Sequence, residues 1–195
     1  MGIHETEMKI GEIETEKQFI DSIEKILREG AGYFGVNLNE AQITAFLKYK
    51  GLLTEWNEKI NLTAILEDRD IIIKHFVDSL SIMPFLKETG SFADIGTGAG
   101  FPGIPIKIAR PSLDVLLLDS LKKRIGFLEL VIDELRLEGI TAMHSRAEDA
   151  GITPQYREKF DAVAARAVAS LPVLLEYSMP LVKEGGIFIA MKGNM

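Results

Sequence analysis

A glycine-rich segment, Asp94–Gly103, constrains the fold of this chain more than any other part of its sequence. It reads Asp-Ile-Gly-Thr-Gly-Ala-Gly-Phe-Pro-Gly, and it lies between a short apolar run and an apolar helical pattern. Glycine lets the backbone turn sharply and approach a ligand closely, and a proline such as Pro102 suits the first turn of a helix. The segment therefore predicts a strand, a loop and a helix, with a ligand bound where the helix begins.

The remainder of the C-terminal half continues this alternation of strand and helix patterns. Short apolar runs occur at 92–95, 115–118, 140–143, 160–165 and 186–191. The stretches between them predict helices near 102–109, 121–137, 148–150 and 171–181. Such alternation is typical of right-handed βαβ units, which build a parallel sheet covered by helices. We expect an α/β, Rossmann-like core over residues 91–195.

The N-terminal part of the chain has a different pattern. Residues 1–15 are polar and acidic, which predicts a disordered tail. Apolar residues then recur at helical spacing, and Asn39 followed by Gln42 predicts the capped start of a helix. Two further short helices are expected over 71–80 and 81–87. Residues 16–90 are therefore predicted to be a helical extension ahead of the sheet.

Composition excludes several classes of protein. The chain has 195 residues, no cysteine and three widely spaced histidines, so neither thiolate nor histidine-rich metal sites are expected. No apolar run approaches the roughly 18 residues needed to span a membrane. The net charge of −7 argues against a general nucleic-acid coat, although it leaves room for a local basic patch. We expect a cytoplasmic protein without a metal and without a membrane partner.

The expected ligand of the glycine loop is a nucleoside cofactor, and two candidates compete. Residues Gly98–Gly103 also satisfy the dinucleotide pattern G-x-G-x-x-G, which leaves NAD possible. Asp94, before the first glycine, would attract an ammonium group and repel a pyrophosphate. Asp119, after the second strand, would serve the ribose hydroxyls of either cofactor. The sequence therefore favours S-adenosylmethionine, and an NAD-dependent oxidoreductase is the weaker alternative.

Several stretches together carry a resemblance to a known family. They are Trp56-Asn57, Ile60–Ile65, His75–Leu80, Asp94–Gly103, Leu118–Arg124, Ser145–Glu148, Ala165–Ala167 and Ala169–Leu171. In this order they resemble the family of ribosomal RNA small subunit methyltransferase G, also called glucose-inhibited division protein B. Many methyltransferases share the glycine loop, whereas Asn61-Leu62-Thr63-Ala64 and the combined order are more specific.

The resemblance implies an S-adenosylmethionine-dependent enzyme that methylates N7 of one guanine in 16S rRNA of the small ribosomal subunit. It also implies a seven-stranded sheet, and the last helix and two closing strands have no counterpart here after the fifth strand. A relative that binds the cofactor but modifies a small molecule, or has no catalytic activity, is the alternative. Because guanine N7 carries a lone pair on the neutral base, no catalytic acid or base is expected.

The resemblance also implies particular site residues. The cofactor-binding positions that it carries over are Gly96, Phe101, Ala147, Glu148 and Arg166. Gly98 and Asp119 join this set from the loop and strand patterns. Ala147 and Glu148 are expected to meet the adenine, and Arg166 to hold the cofactor carboxylate or an RNA phosphate.

The remaining expectations concern the substrate side of the site. Phe101 is expected to pack on the methionine chain or on the target base. Through the resemblance, Asn61 and Thr63 are expected to shape the pocket for that base. His75 is expected to be an ordinary packed residue of a helix and is left out of the catalytic set.

Overall fold

A parallel sheet of five strands forms the centre of the molecule in a computed structural model, which describes residues 20, 22–166 and 170–191. The strands are β1 (Gly90–Ile95), β2 (Leu113–Asp119), β3 (Ile140–His144), β4 (Phe160–Arg166) and β5 (Val182–Met191). Their spatial order is β3-β2-β1-β4-β5, so the direction of winding reverses beside β1. In open parallel sheets, ligands bind beyond the carboxyl ends of the strands at such a reversal.

Helices connect the strands and cover the sheet. They are α5 (Gly103–Ala109), α6 (Lys122–Glu134), α7 (Ala147–Ile152) and α8 (Leu171–Ser178), with a 3₁₀ turn at Met179–Leu181. The predicted α/β, Rossmann-like fold is confirmed, since all four pairs of neighbouring strands are parallel.

The N-terminal segment is helical, as predicted. It comprises α1 (22–33), α2 (Glu40–Ile60), α3 (Asp68–Ile71), a π-helical turn at Ile72–Val77, α4 (Asp78–Leu80) and a 3₁₀ turn at Met83–Phe85. Asn39 caps α2 through a reciprocal pair of hydrogen bonds with Gln42, both 2.9 Å long. The tail predicted over residues 1–15 lies outside the described residues.

Element boundaries differ from the sequence patterns in two places. The helix expected over 81–87 is only the short 3₁₀ turn at Met83–Phe85, which ends where Leu86 adopts an extended backbone with φ −93° and ψ 143°. Strand β5 begins at Val182, before the apolar run at 186–191. Its polar first half stays in the sheet through an irregular register, in which Phe160 pairs with Val182 but Ala162 pairs with Ile187.

One hydrophobic core joins the helical segment to the sheet. Leu27, Phe46 and Phe76 from the helices belong to the same buried cluster as Phe92 and Ile104 from the sheet region. The helical segment is thus packed as part of the core and has no separate core of its own. This packing brings α2 and the π-helical turn next to the carboxyl ends of β1 and β4.

Within the part of the chain that the structure describes, no helix is long and apolar enough to cross a membrane. The same residues contain no group of three or more acidic or histidine side chains arranged to hold a metal ion.

Candidate functional site

Two adjoining cavities lie at the carboxyl ends of the strands. The first cavity, of about 350 Å³, is lined by Ile95, Gly96, Leu118, Asp119, Ser120, Leu121, Ser145, Arg146, Ala147, Glu148 and Tyr177. The second cavity, of about 410 Å³, is lined by Leu62, Thr63, His75, Gly96, Thr97, Gly98, Ala99, Phe101, Asp119, Ser120, Arg124 and Arg166. Gly96, Asp119 and Ser120 line both cavities, which therefore adjoin, and we call the two together the cleft. All seven predicted cofactor-binding residues line one or both of these cavities.

The glycine loop forms the wall between the two cavities. Gly96 and Gly98 have φ angles of +65° and +62°, which side chains other than glycine adopt at a cost. A Cβ atom built on Gly98 would come no closer than 4.0 Å to its nearest neighbour, the carbonyl oxygen of Gly96. Gly98 therefore presents bare backbone to open space, as a loop that binds a ligand closely requires.

Asp94 lies beneath this loop and shapes it. Its side chain is fully buried, and its Oδ2 accepts hydrogen bonds from the Thr97 hydroxyl and the Gly103 amide. Burial raises the pKa of Asp94 to about 6, although these two hydrogen bonds oppose the shift. The expectation that the charge of Asp94 attracts the ligand's ammonium group stays a prediction. In the structure, Asp94 Oδ2 is the acceptor that holds the loop against β1.

Asp119 ties the loop to the start of α6. Its carboxylate accepts hydrogen bonds from the Gly98 amide at 2.9 Å, the Leu121 amide at 2.9 Å and the Arg124 guanidinium at 3.1 Å. The side chain is 2% exposed, yet it lines both cavities. A carboxylate has about four acceptor sites, so it retains capacity for one more donor.

Ala147 and Glu148 close the far end of the first cavity. They begin α7, directly after β3, and Ala147 is buried while Glu148 is exposed. A small side chain at Ala147 leaves the cavity open, and the Glu148 carboxylate lies where a helix N-terminus favours negative charge. The structure therefore brings both residues into the same cavity as Asp119, as their positions after neighbouring strands predicted.

Phe101 and Arg166 form one side of the second cavity. Phe101 is 4% exposed, and the Arg166 Cζ lies 5.0 Å from the centre of its ring. Arg166 also forms an ion pair with Asp78, with a distance of 3.1 Å between Nη1 and Oδ2. The guanidinium is thus held by the π-helical turn and α4, and it reaches the cavity from the end of β4.

His75 belongs to this site, so the interpretation of His75 as an ordinary packed helix residue was incomplete. Its ring stacks on Phe101 with 4.4 Å between ring centres and 16° between planes. Its Nδ1 lies 3.3 Å from Arg166 Nη2, and its Nε2 lies 2.7 Å from Thr63 Oγ1. Burial, together with the Arg166 charge, lowers the pKa of His75 to about 4, so the ring is neutral at pH 7.

The π-helical turn explains why the sequence pattern did not predict a place for His75 in the second cavity. A π-helix repeats over more residues than an α-helix, so helical spacing does not predict which side chain faces inward. Short π-helical turns occur frequently at functional sites. Once the backbone is known, the turn itself therefore directs attention to His75.

The two residues assigned to the substrate side separate in the structure. Thr63 lines the second cavity, where the Asn57 side chain holds both of its backbone groups at 2.7 and 2.9 Å. Asn61 ends α2 with a left-handed φ of 48° and lines a neighbouring cavity beside Leu66. Of the two, only Thr63 reaches the cleft that contains the glycine loop.

The Tyr49 hydroxyl lies directly behind the cleft. It donates a hydrogen bond to the carbonyl oxygen of Ala99, and its ring stacks on Phe76. Burial raises the pKa of Tyr49 well above its usual value, so the hydroxyl stays protonated and remains a donor. Helix α2 thereby supports the glycine loop through this buried hydrogen bond and through the packing of the Tyr49 ring against Phe101.

Comparison with known sequences gives one consistent family. A family model described as GidB, rRNA small subunit methyltransferase G, matches residues 42–195. Ribosomal RNA small subunit methyltransferase G of Acetivibrio thermocellus is 60% identical over 173 residues, which are 88% of this chain and 72% of that protein. The protein of the same name from Alkaliphilus oremlandii is 53% identical with the same coverage of both chains.

Comparison with solved structures supports the fold. The crystal structure of a putative S-adenosyl-L-methionine-dependent methyltransferase from Methanococcus maripaludis is similar, with a TM-score of 0.54 at 16% identity. The match covers 80% of this chain and 66% of that one. Since the family model matches most of the chain and the sequence identity reaches 60%, this chain belongs to the rRNA small subunit methyltransferase G family.

Proposed function

We propose that this protein transfers a methyl group from S-adenosylmethionine to N7 of a guanine in 16S rRNA of the small ribosomal subunit. Membership of a family of rRNA methyltransferases gives the reaction class. The observation that supports the proposal best is the cleft at the carboxyl ends of the strands, in which two cavities of comparable size adjoin at the glycine loop. One cavity suits a nucleoside and the other a base.

The first cavity has the chemistry that an adenosyl group requires. The acceptor capacity left on Asp119 matches a ribose hydroxyl, which is a hydrogen-bond donor. The bare backbone at Gly96 and Gly98 allows close approach, while Ala147 leaves room for a flat ring beside Glu148. These residues would hold S-adenosylmethionine, which supplies, when bound, a methyl group on an electrophilic sulfonium.

The second cavity has the chemistry of a site for a base and a charged group. Phe101 lines this cavity with its ring packed against His75 and Arg166, and Arg166 offers a fixed positive charge for a carboxylate or a phosphate. Residues of the two cavities together would position the target base against the methyl donor and exclude water.

Guanine N7 needs no base from the protein, because its lone pair is free on the neutral ring. The site is consistent with this chemistry. His75 is neutral, and its Nδ1 already faces the Arg166 guanidinium, so it is a weak proton acceptor. The contribution of the protein is therefore alignment and desolvation, without a proton-transfer step.

Binding to RNA by an acidic protein requires a local positive surface. Lys122 and Lys123 are exposed at the start of α6, and Arg124 lines the second cavity beside them. We propose that this group contacts the phosphate backbone next to the target base, in the cytoplasm where small subunits are present. Phosphate contacts position a protein on RNA without reading its sequence.

A methyl-transfer assay tests this proposal directly. The purified protein is incubated with radiolabelled S-adenosylmethionine and with unmodified 30S subunits, naked 16S rRNA or a small-molecule extract. We expect label in 16S rRNA at one guanine, mapped by chain cleavage after borohydride and aniline treatment. Label in the small-molecule fraction alone, or in no fraction, would favour the alternative of a cofactor-binding relative with another role.

A further inference from the structure

We propose that the Thr63 hydroxyl, fixed as a hydrogen-bond donor by His75, reads O6 of the target base and so selects guanine over adenine. This inference rests on the proposed function, and it adds a specificity-determining residue to it. It depends on the direction of each hydrogen bond in a short chain from Arg166 through His75 to Thr63.

The chain begins at a group that only donates. The Arg166 guanidinium has only donors, and we therefore assign the acceptor role in its contact of 3.3 Å with His75 to Nδ1. The neutral imidazole then carries its single hydrogen on Nε2. That hydrogen points to the Thr63 hydroxyl oxygen, 2.7 Å away.

The Thr63 oxygen receives a second hydrogen bond from the backbone. The Ile65 amide donates to Oγ1 at 3.0 Å. A hydroxyl oxygen has two acceptor lone pairs, and both are now occupied. The hydroxyl hydrogen of Thr63 remains available, so the group acts toward a ligand as a donor and cannot accept.

The position of Thr63 is also fixed. The Asn57 side chain forms hydrogen bonds with both the backbone amide and the backbone carbonyl of Thr63, and Asn57 is itself 9% exposed. The partner ring of His75 is held in turn by its stacking on Phe101. A donor that is held from two sides and that lines the second cavity can discriminate between ligands by the polarity of their edges.

Guanine and adenine differ in the polarity of the edge that contains N7. Guanine presents O6, an acceptor, beside N7, whereas adenine presents an amino group, a donor, at the same place. Guanine would receive the Thr63 hydrogen. Adenine would place its donor against a group that cannot accept, and an unpaired polar group in a closed site is costly.

The test uses 16S rRNA in which the mapped target guanine is replaced by 2,6-diaminopurine, introduced by ligation of RNA fragments. This base keeps N7 and the 2-amino group but carries an amine at position 6. For the unchanged protein we expect kcat/KM on the guanine RNA to exceed that on the analogue RNA at least 100-fold.

The variants separate specificity from stability. Thr63→Val should lower kcat/KM on guanine at least 10-fold and reduce the preference to below 10-fold, whereas Thr63→Ser should keep the preference. His75→Phe retains an aromatic ring against Phe101 but frees an acceptor site on Thr63, so it should also reduce the preference. Thr44→Val is the control. It removes an exposed hydroxyl of α2 whose only hydrogen bond among the described contacts is to the Glu40 carbonyl oxygen, so it should change neither kcat/KM on guanine RNA nor the preference for guanine.

Each outcome has one meaning. A full 100-fold preference in Thr63→Val would overturn the inference, as would loss of the preference in Thr63→Ser. Failure of the unchanged protein to methylate any guanine RNA, with S-adenosylmethionine still bound in calorimetry, would overturn the proposed function instead. Equal cofactor affinity in all variants would show that a change in preference does not come from a damaged fold.

Discussion

The Tyr49 hydroxyl donates a hydrogen bond to the carbonyl oxygen of Ala99, which joins helix α2 to the glycine loop in the interior of the protein. Ala99 is 3% exposed, so its carbonyl oxygen is largely shielded from bulk water as a replacement partner. The shape of the loop therefore depends on a residue that lies 50 positions earlier in the chain.

Replacing Tyr49 by Phe should weaken both the fold and the cofactor site. An acceptor left unpaired in the interior costs about 1–3 kcal/mol, and we expect a loss of this size in the free energy of unfolding. We also expect the Kd for S-adenosylmethionine to rise several-fold in titration calorimetry. Tyr33→Phe is the control, because Tyr33 is 85% exposed and its loss should change neither measurement.

Gly98→Val should abolish detectable binding of S-adenosylmethionine. The new side chain would fill space that is now open, and at a φ of +62° it would strain the loop. Gly35→Val is a matched control, since Gly35 has a φ of +75° and equally open surroundings far from the cleft. Both variants should lose about 1–2 kcal/mol of stability from backbone strain, but only Gly98→Val should lose binding. Unchanged affinity of Gly98→Val would contradict the placement of the cofactor.

Asp119→Asn should raise the Kd for S-adenosylmethionine at least tenfold, because the amide nitrogen cannot accept the hydrogen bonds that the carboxylate now receives. Asp114→Asn, on the exposed side of the same strand, should leave the Kd unchanged. An analogue that lacks both ribose hydroxyls provides a second measurement. Equal tenfold losses for the cofactor and the analogue would mean that Asp119 only supports the loop and does not bind the ribose.

The methylation rate should be nearly constant between about pH 6.5 and 8.5. The pKa of His75 is about 4 and that of Asp94 is about 6, so over most of this range the His75 ring is neutral and the Asp94 carboxyl group is ionised. Guanine N7 requires no deprotonation. Single-turnover rates on 30S subunits provide the test, and a tenfold rise per pH unit would indicate a required base.

His75 should make the fold sensitive to acid. Its pKa is about 4 in the folded protein and 6.5 when exposed, so the unfolded chain binds a proton first as the pH falls. Stability contributed by the neutral ring is therefore complete above pH 6.5 and is lost between pH 6.5 and 4. The loss amounts to about 2–3 kcal/mol. Asp94, with a raised pKa, has the opposite dependence over part of this range.

Urea unfolding at pH 7.0 and pH 4.5 measures this effect against His75→Gln, which has a donor and an acceptor but does not titrate. Since Asp94 is present in both proteins, its contribution cancels in the difference. The unchanged protein should lose about 2–3 kcal/mol more than the variant on acidification. Equal losses would mean that His75 is no more difficult to protonate in the fold than in water.

The sequence was sufficient for the parts of the molecule that local patterns determine. The apolar runs gave the five strands, and Asn39 with Gln42 gave the start of α2, because burial and capping depend on nearby residues. The start of β5 was missed because Lys183–Gly186 resembles a turn, whereas Val182 ahead of this stretch already pairs with Phe160 of β4.

The candidate site was predictable to the extent that strand ends converge. Asp119, Ala147 and Arg166 meet in one cleft because each follows a parallel strand, or is its last residue. The place of His75 depends on the π-helical turn and on a contact with Arg166 across 91 positions of the chain, which no local pattern records. The burial of Asp94 under the loop is likewise a three-dimensional property that the loop sequence does not show.

The shared wall of the two cavities has a consequence for inhibitor design. Because Gly96, Asp119 and Ser120 line both spaces, a linker that joins an adenosine to a purine in one molecule would have to span only these residues. Such a compound would lose rotational and translational freedom only once, whereas two separate ligands would each lose it, and it would gain contacts on both sides of the loop. Its selectivity against other Rossmann-like methyltransferases would come from the purine end, where the helical segment supplies Thr63 and His75.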